Sequence, residues 1–210
     1  MTFVNGKCSS VYPHNRILVN TVFEVVREAG LQTAYVDKHP AYEIMNGPSG
    51  KGLSVGYFPE INAVDNTVNA TISYDELHVQ AWLDFIDGIT PANSSGSLSP
   101  PSMPSLMGGN FQAVSVAQKT IGYKNDSSFS PAILQALDYV DGALGRIVQK
   151  LEKKGFLNES LIIVASKHGQ APIDPRLWNE VDPDDLFNAT GVPTAFVTVS
   201  LLHLCFSLLT

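Results

Sequence analysis

Two short polar corners carry the residue types most suited to chemistry in this sequence. The corner at 167–169 (Lys-His-Gly) follows the apolar run 161–166, and the corner at 37–39 (Asp-Lys-His) follows the run 31–36. An imidazole can take up or release a proton near neutral pH, and a lysine supplies a positive charge. Each histidine has a plainer interpretation as a cap on a strand end, so the motif alone is a hypothesis.

The two runs must be neighbouring strands for these corners to meet. The run 161–166 is apolar without alternation, which is typical of a strand buried on both faces of a parallel sheet. The carboxyl ends of parallel strands share one edge, and ligands bind beyond that edge in open α/β sheets. The two corners therefore predict a candidate active site at that edge.

Helical patterns separate the predicted strands. Apolar residues recur at three and four positions from Asn20 to Gly30 and again, more strongly, over 131–154. Ser130 supplies an N-cap for the longer helix, and Gly155 ends it. Because helices connect successive strands, the predicted fold class is α/β with a mostly parallel sheet.

The remaining segments give further predictions. A helix over 73–88 is expected to begin with a capping box formed by Ser73 and Glu76. His78, on the flank of its apolar face, is interpreted as a solvated or core-edge residue. Strands are predicted at 110–118 and 194–200, loops at 44–72 and 89–109, and a flexible surface loop at 46–52.

Length and charge limit the function classes. The 210 residues fit one domain, with 44% hydrophobic and 16% charged residues. A formal net charge of −7 without a basic run argues against a nucleic-acid polymer as partner. The predicted organisation is a single partial domain at 1–192, followed at 193–210 by a final strand and an apolar tail. That tail is too short for a membrane span.

The compartment is indicated by glycosylation sequons rather than by cysteines. Only Cys8 and Cys205 occur, so no disulfide framework is predicted. Secretion is expected because five Asn-x-Ser/Thr sequons occur, yet the first residues lack the apolar core of a signal peptide. Either the sequons are unused or the chain lacks its true N-terminus. The five asparagines are Asn69, Asn93, Asn125, Asn158 and Asn188.

Four stretches together resemble the type I phosphodiesterase/nucleotide pyrophosphatase family, within the alkaline-phosphatase-like superfamily. They are residues 11–30, 33–52, 111–119 and 136–174. The resemblance implies an α/β/α sandwich around a mostly parallel sheet, incomplete at both ends. It also implies a metal-dependent hydrolase of small phosphodiester or pyrophosphate-type esters, with zinc as the usual metal.

The same resemblance suggests roles for individual residues. His168 matches the imidazole of the family's Asp-His-Gly metal motif, and Lys167 stands where the metal-binding aspartate usually lies. Asp37 and His39 would be the other metal ligands. Lys38 and Lys167 would be the catalytic cations.

Other features of the family pattern have no counterpart in the sequence. The Asp and His pair expected after the predicted strand at 110–118 is not visible, and Asn110 and Gln112 stand near its place. The nucleophile segment would precede residue 11, and a later histidine ligand would follow residue 200. We therefore expect a truncated member that is weakly active or inactive and self-associates through exposed core surface. The alternative is a non-catalytic secreted glycoprotein or binding domain.

Overall fold

The computed structural model describes residues 11–99, 101–166, 168–169, 172 and 176, together with the backbone of 2–4 and 7–9. The chain divides into two compact units. One unit comprises Met1–Val11 and Gln170–Thr210. Its described part is an antiparallel pair, β1 (Thr2–Val4) and β2 (Lys7–Ser9). The other unit, Tyr12–Gly169, contains the sheet and helices described below.

A four-stranded, mostly parallel sheet forms the centre of the larger unit. Its strands are β3 (Thr33–Val36), β4 (Val55–Tyr57), β5 (Ser95–Gly96) and β6 (Leu106–Gly109), in the order β5-β4-β3-β6. β3 runs parallel to both β4 and β6, and β5 is antiparallel to β4. The predicted α/β class with a mostly parallel sheet is confirmed.

Four α-helices accompany the sheet: α1 (Val22–Glu28), α2 (Val68–Asp87), α3 (Ala113–Thr120) and α4 (Pro131–Lys153). The side chains of Thr21, Thr67 and Ser130 accept backbone N–H bonds at the starts of α1, α2 and α4. Left-handed Gly88 ends α2. Short 3-10 turns lie at Pro13–Arg16, Pro40–Asn46, Ile61–Ala63 and Leu157–Glu159.

The side chains of β3 alternate between the two faces of the sheet. Ala34 and Val36 are buried in a core with Phe85 of α2, whereas Tyr35 makes an edge contact with Phe23 of α1. Successive residues of a strand point to opposite faces, so α1 and α2 cover opposite sides of the sheet. This is the layered arrangement expected of an α/β sandwich.

A second core joins α2, α3 and α4. It consists of Val68, Ala113, Ala117, Ile133 and Ala136. Ion pairs border the contact between α2 and α4. The guanidinium of Arg146 makes two hydrogen bonds of 2.7 and 2.6 Å to Glu76, and Asp87 pairs with Lys150 and Lys154.

The prediction of a flexible loop over 46–52 is wrong. The Ser49 N–H donates to the Glu24 carboxylate at 2.8 Å, and the Leu53 N–H donates to the Asn46 side chain at 2.9 Å. Glu24 is buried although charged, because it also completes the capping box with Thr21. The loop is therefore fixed onto α1.

The predicted buried strand at 161–166 is not formed. This stretch has no regular secondary structure, and Leu161, Ile163 and Val164 are 85%, 79% and 70% exposed. A strand needs a neighbouring strand to satisfy its backbone groups, and none of the described strands pairs with this run. The apolar composition of the run predicted that it would be buried, but the described residues do not cover it.

The predicted strand at 110–118 is also wrong, because its second half belongs to α3. Valines alternate with small polar residues here, which favours a strand. Ala113 and Ala117, however, are four residues apart and fully buried against neighbouring helices. Tertiary packing on a small-residue face has overridden the alternating pattern.

The start of one helix and the positions of three strands differ from the sequence predictions. Helix α2 begins at Val68 after Thr67, so Ser73 lies inside the helix and the capping box at Ser73 and Glu76 is wrong. β4 lies within the predicted loop 44–72, and β5 and β6 lie within the predicted loop 89–109. These strands are short and contain glycine, so they lack the β-branched run that sequence patterns detect.

Candidate active site

A buried polar cluster lies where β3 and β6 end. Asp37 and Lys38 follow β3, and Gln112 lies between the end of β6, which is parallel to β3, and the start of α3. Asp75 and His78 join them from α2. Parallel pairing brings the carboxyl ends of both strands to one edge, which is where the corner at 37–39 was predicted to act.

Asp37 is completely buried, and both of its carboxylate oxygens are hydrogen-bonded. The Lys38 N–H donates to Oδ1 at 2.7 Å, and the Tyr35 hydroxyl donates to Oδ2 at 3.3 Å. Burial and the neighbouring Asp37 charge raise the pKa of Tyr35, so its hydroxyl keeps its proton. Asp37 is thus held by its own strand end.

Lys38 connects the ends of the two strands. Its Nζ donates to Oε1 of Gln112 at 2.7 Å, and its charge partly opposes the rise in the pKa of Asp75 that burial causes. Gln112 is the residue before the first turn of α3 and is 3% exposed. The ammonium group of Lys38 therefore lies within the cluster and is bound to Gln112, in the loop between β6 and α3.

The carboxyl group of Asp75 accepts hydrogen bonds from backbone N–H groups at the start of α3. Its carboxyl accepts two hydrogen bonds from the Gln112 N–H, at 3.0 and 2.8 Å, and one from the Ala113 N–H at 2.8 Å. Burial raises the pKa of the Asp75 carboxyl to about 7, against the effect of these hydrogen bonds, and the charge of Asp37 adds to the increase. A carboxyl that titrates near neutral pH can exchange a proton during a reaction.

His78 is fully buried beside Asp75. Its Nδ1 donates to the Asn110 carbonyl at 2.8 Å, and its Nε2 lies 3.2 Å from the Tyr74 hydroxyl oxygen. Burial lowers the pKa of His78 to about 4, so the ring is neutral near pH 7. The interpretation of His78 as a solvated or core-edge residue is wrong.

His39 lies at the outer side of the same corner and pairs with a carboxylate. Its Nδ1 lies 2.6 Å from Oε1 of Glu60. Burial acts to raise the pKa of Glu60, but the hydrogen bonds from His39 and from the Asn62 N–H, together with the charge of His39, lower it overall. A carboxylate at Nδ1 fixes the tautomer that leaves Nε2 able to accept a proton or bind a metal.

The predicted metal ligands do not form a metal site within the described residues. That part of the chain contains no group of three or more His, Cys, Asp or Glu side chains able to hold a metal ion. Asp37 and His39 follow the same strand, whereas His168 is an exposed residue in a bend. Catalytic zinc takes three such ligands and structural zinc four, and the described residues bring no three together, so zinc does not fit them by themselves. Lys167, the other predicted catalytic cation, lies outside the described residues.

Sequence reasoning missed the residues that α2 contributes. Asp75 and His78 are three residues apart, which places them on one side of a helix. That spacing was a usable signal. A helix that begins at Ser73 would place Asp75 in its first turn, where acidic side chains are common, whereas α2 begins five residues before Ser73.

Four of the five glycosylation sequons can be placed. Each of the four asparagines is exposed, and Asn69 belongs to α2, where its side-chain oxygen accepts a hydrogen bond from Gln135. Asn188 lies outside the described residues. The four exposed positions are Asn69, Asn93, Asn125 and Asn158.

Within the described residues, no helix is both long enough and apolar enough to cross a membrane.

Comparison with known proteins gives one match. A sequence model of the family described as type I phosphodiesterase / nucleotide pyrophosphatase matches residues 16–203. The match covers most of the 210 residues and includes both polar corners and all four helices of the larger unit. No curated protein and no solved structure matches the chain.

Proposed function

The chain belongs to the type I phosphodiesterase/nucleotide pyrophosphatase family, and we propose that it binds small phosphodiester or pyrophosphate-type esters as a weakly active or inactive hydrolase. The family match over 16–203 is the observation that carries this proposal. The polar cluster at the carboxyl edge of the sheet supports it, because an α/β enzyme of this kind binds its ligand there.

Three of the described residues could each have a different role in binding or hydrolysing such an ester. Lys38 supplies a positive charge beside Gln112, which suits the negative oxygens of a phosphoryl group. Asp75, with a pKa of about 7, can hold or release a proton. His39 keeps Nε2 available as a proton acceptor through its contact with Glu60.

The described residues do not fit the metal dependence that the family implies. A bound zinc ion would polarise the ester and activate a nucleophile. The described residues do not form a three-ligand site, and lysine at 167 cannot bind a metal while protonated. We therefore propose that zinc binding by this chain is weak and that Lys167 is one cause.

Reverting that residue tests the metal proposal without an activity assay. Lys167→Asp should increase the zinc retained after dialysis, measured by plasma mass spectrometry, relative to the parent chain. Lys153→Asp removes the same charge from a residue of α4 and serves as the control. Equal zinc content in all three proteins would contradict a role for Lys167 in the weak binding.

The hydrolase proposal is tested with bis(p-nitrophenyl) phosphate and p-nitrophenyl phosphate. We expect measurable binding of the diester by calorimetry and slow release of p-nitrophenol, with the diester preferred over the monoester. The variant Lys38→Met should lose most of the binding, because it removes the cluster's ammonium while keeping the side-chain length. Binding of neither ester at millimolar concentration would exclude the proposal.

The exposed sequons favour a second candidate, a secreted glycoprotein that binds without catalysis. All four described sequon asparagines are exposed, as attachment of a glycan requires. Expression through a secretory pathway should give a product whose electrophoretic mobility increases after enzymatic deglycosylation. An unchanged mobility would remove the support for this candidate.

A further inference from the structure

One buried hydrogen-bond donor of the polar cluster has no partner. The side chain of Gln112 is 3% exposed, and its Nε2 makes no hydrogen bond within the described residues. Its Oε1 accepts from the Lys38 ammonium at 2.7 Å. Turning the amide over would place its NH₂ group against that ammonium, so the unpartnered atom is the nitrogen and not the oxygen.

An unsatisfied buried N–H loses its hydrogen bonds to water without replacement, and such groups are rare in folded proteins. Neither neighbouring carboxyl group accepts a hydrogen bond from this nitrogen. Asp37 accepts from Lys38 and Tyr35, and Asp75 accepts from the N–H groups of Gln112 and Ala113. The cluster therefore lacks one hydrogen-bond acceptor.

We propose that Gln112 is a ligand-binding residue whose Nε2 donates a hydrogen bond to a phosphoryl oxygen, beside the Lys38 ammonium. The acceptor belongs to a phosphate ester or to inorganic phosphate, since both present the same oxygens. This inference rests on the proposed function, because that function supplies the phosphoryl group.

The position of the donor is fixed before any ligand arrives. The backbone of Gln112 is held by Asp75 at the start of α3, and its side-chain oxygen is held by Lys38 at the end of β3. A donor held from two sides needs little reorganisation when it binds an oxygen.

The test compares two identical substitutions in the same helical region. Gln112→Glu keeps the shape and the contact with Lys38 but replaces the donor by an acceptor. Gln118→Glu adds the same charge where Glu can still accept a hydrogen bond from Tyr123, whose hydroxyl lies 2.7 Å from Gln118 Nε2. Dissociation constants for inorganic phosphate and bis(p-nitrophenyl) phosphate are measured by calorimetry. Urea unfolding confirms that both variants are folded.

We expect Gln112→Glu to weaken binding of both probes by about tenfold or more, and Gln118→Glu to leave it within about twofold, as for loss of one charge-assisted hydrogen bond. In the parent chain, the side-chain amide signals of Gln112 should shift in nitrogen–proton spectra as phosphate is added. These signals are identified by their absence from the Gln112→Glu spectrum, and they report the contact even if that variant binds weakly for another reason.

The possible failures are distinguishable. If the parent chain binds the diester while Gln112→Glu binds it equally well and the amide signals do not move, the inference is wrong and the proposed function stands. Such a result would assign the donor to a buried water. If the parent chain binds neither probe, both are wrong. Should Gln112→Glu not fold, the Gln112 amide signals are assigned by triple-resonance spectra of the parent chain, and signals that do not move with phosphate overturn the inference.

Discussion

Asp75 and His78 are buried beside each other, and both are uncharged near pH 6. Burial raises the pKa of Asp75 to about 7 and lowers that of His78 to about 4. Their ordinary values are 3.8 and 6.5. Between about pH 4 and 6.5 the folded pair thus holds one proton on Asp75, and the unfolded pair holds one proton on His78. Unfolding moves the proton without binding or releasing one.

The pair should therefore add little pH dependence to the free energy of unfolding in that window, because linkage depends on the difference in bound protons. His78→Gln removes the contribution of the imidazole, so stability relative to the parent should fall as pH rises from about 4 to 6.5. Asp75→Asn removes the contribution of the carboxyl, so stability relative to the parent should rise from about pH 4 to 7. Each slope approaches about 1.4 kcal/mol per pH unit.

Urea unfolding at half-unit pH intervals measures these slopes. Glutamine at 78 keeps a donor for the Asn110 carbonyl, which limits the structural change. Slopes of the same sign in both variants would contradict the opposite shifts of the two groups.

At this scale the sequence indicated only part of the site. Asp37 and Lys38 were predicted because they follow an apolar run, and both are in the cluster. Asp75, His78 and Gln112 were not predicted as site residues because their role depends on contacts between α2 and the loop after β6. Such contacts arise only when separate elements pack together.

At the scale of elements, β6 approaches β3 and α2 so closely that there is no room for a side chain at Gly109. A Cβ built on Gly109 would lie 2.6 Å from the Val36 carbonyl oxygen and 2.4 Å from Cζ2 of Trp82. Both distances are shorter than real contacts of this kind. The glycine therefore allows β6 to lie against β3 and beneath α2.

Gly109→Ala should destabilise the protein by about 1 to 3 kcal/mol, because the added methyl group must displace backbone or an aromatic ring. Gly142→Ala is the matched control, since nothing lies within 4 Å of its added methyl group in α4. That variant should be more stable by about 0.5 to 1 kcal/mol, through helix propensity. Equal effects of the two substitutions in thermal or urea unfolding would refute the argument from close approach.

Elements with strong local signals were predicted well. The regions of α1 and α4 follow from apolar periodicity, N-caps and terminal glycines, and β3 follows from a β-rich run. β4, β5 and β6 were missed because two to four residues, with glycine in each, carry too little pattern. The run 161–166 shows the opposite error, in which a strong pattern has no partner strand among the described residues.

At the scale of the whole molecule, that run is a stretch of exposed apolar residues. Leu161, Ile163 and Val164 are each at least 70% exposed and nearly adjacent in sequence. Contiguous exposed apolar residues with high β-propensity promote association between copies of a chain. We therefore expect association that increases with protein concentration.

Replacing Ile163 by Lys should shift the sedimentation profile toward smaller species at the same concentration. Ile121→Lys is a suitable control, because Ile121 is also exposed, at 63%, but is not part of an apolar run. If both variants sediment like the parent chain, or if the parent is a monomer at high concentration, the run does not drive association.

The contacts of Glu24 with the loop 46–52 also affect how the chain opens locally. Glycine- and serine-rich loops are usual sites of cleavage, since a protease needs a stretch of chain that can leave the surface. Here the amide protons of Ser49 and Leu53 are bonded to Glu24 and Asn46. They should exchange with deuterium only when the loop opens, and Lys51, although exposed, should resist trypsin while α1 is intact. The loop 46–52 has the composition of a linker, yet its hydrogen bonds attach the segment that precedes β4 to α1.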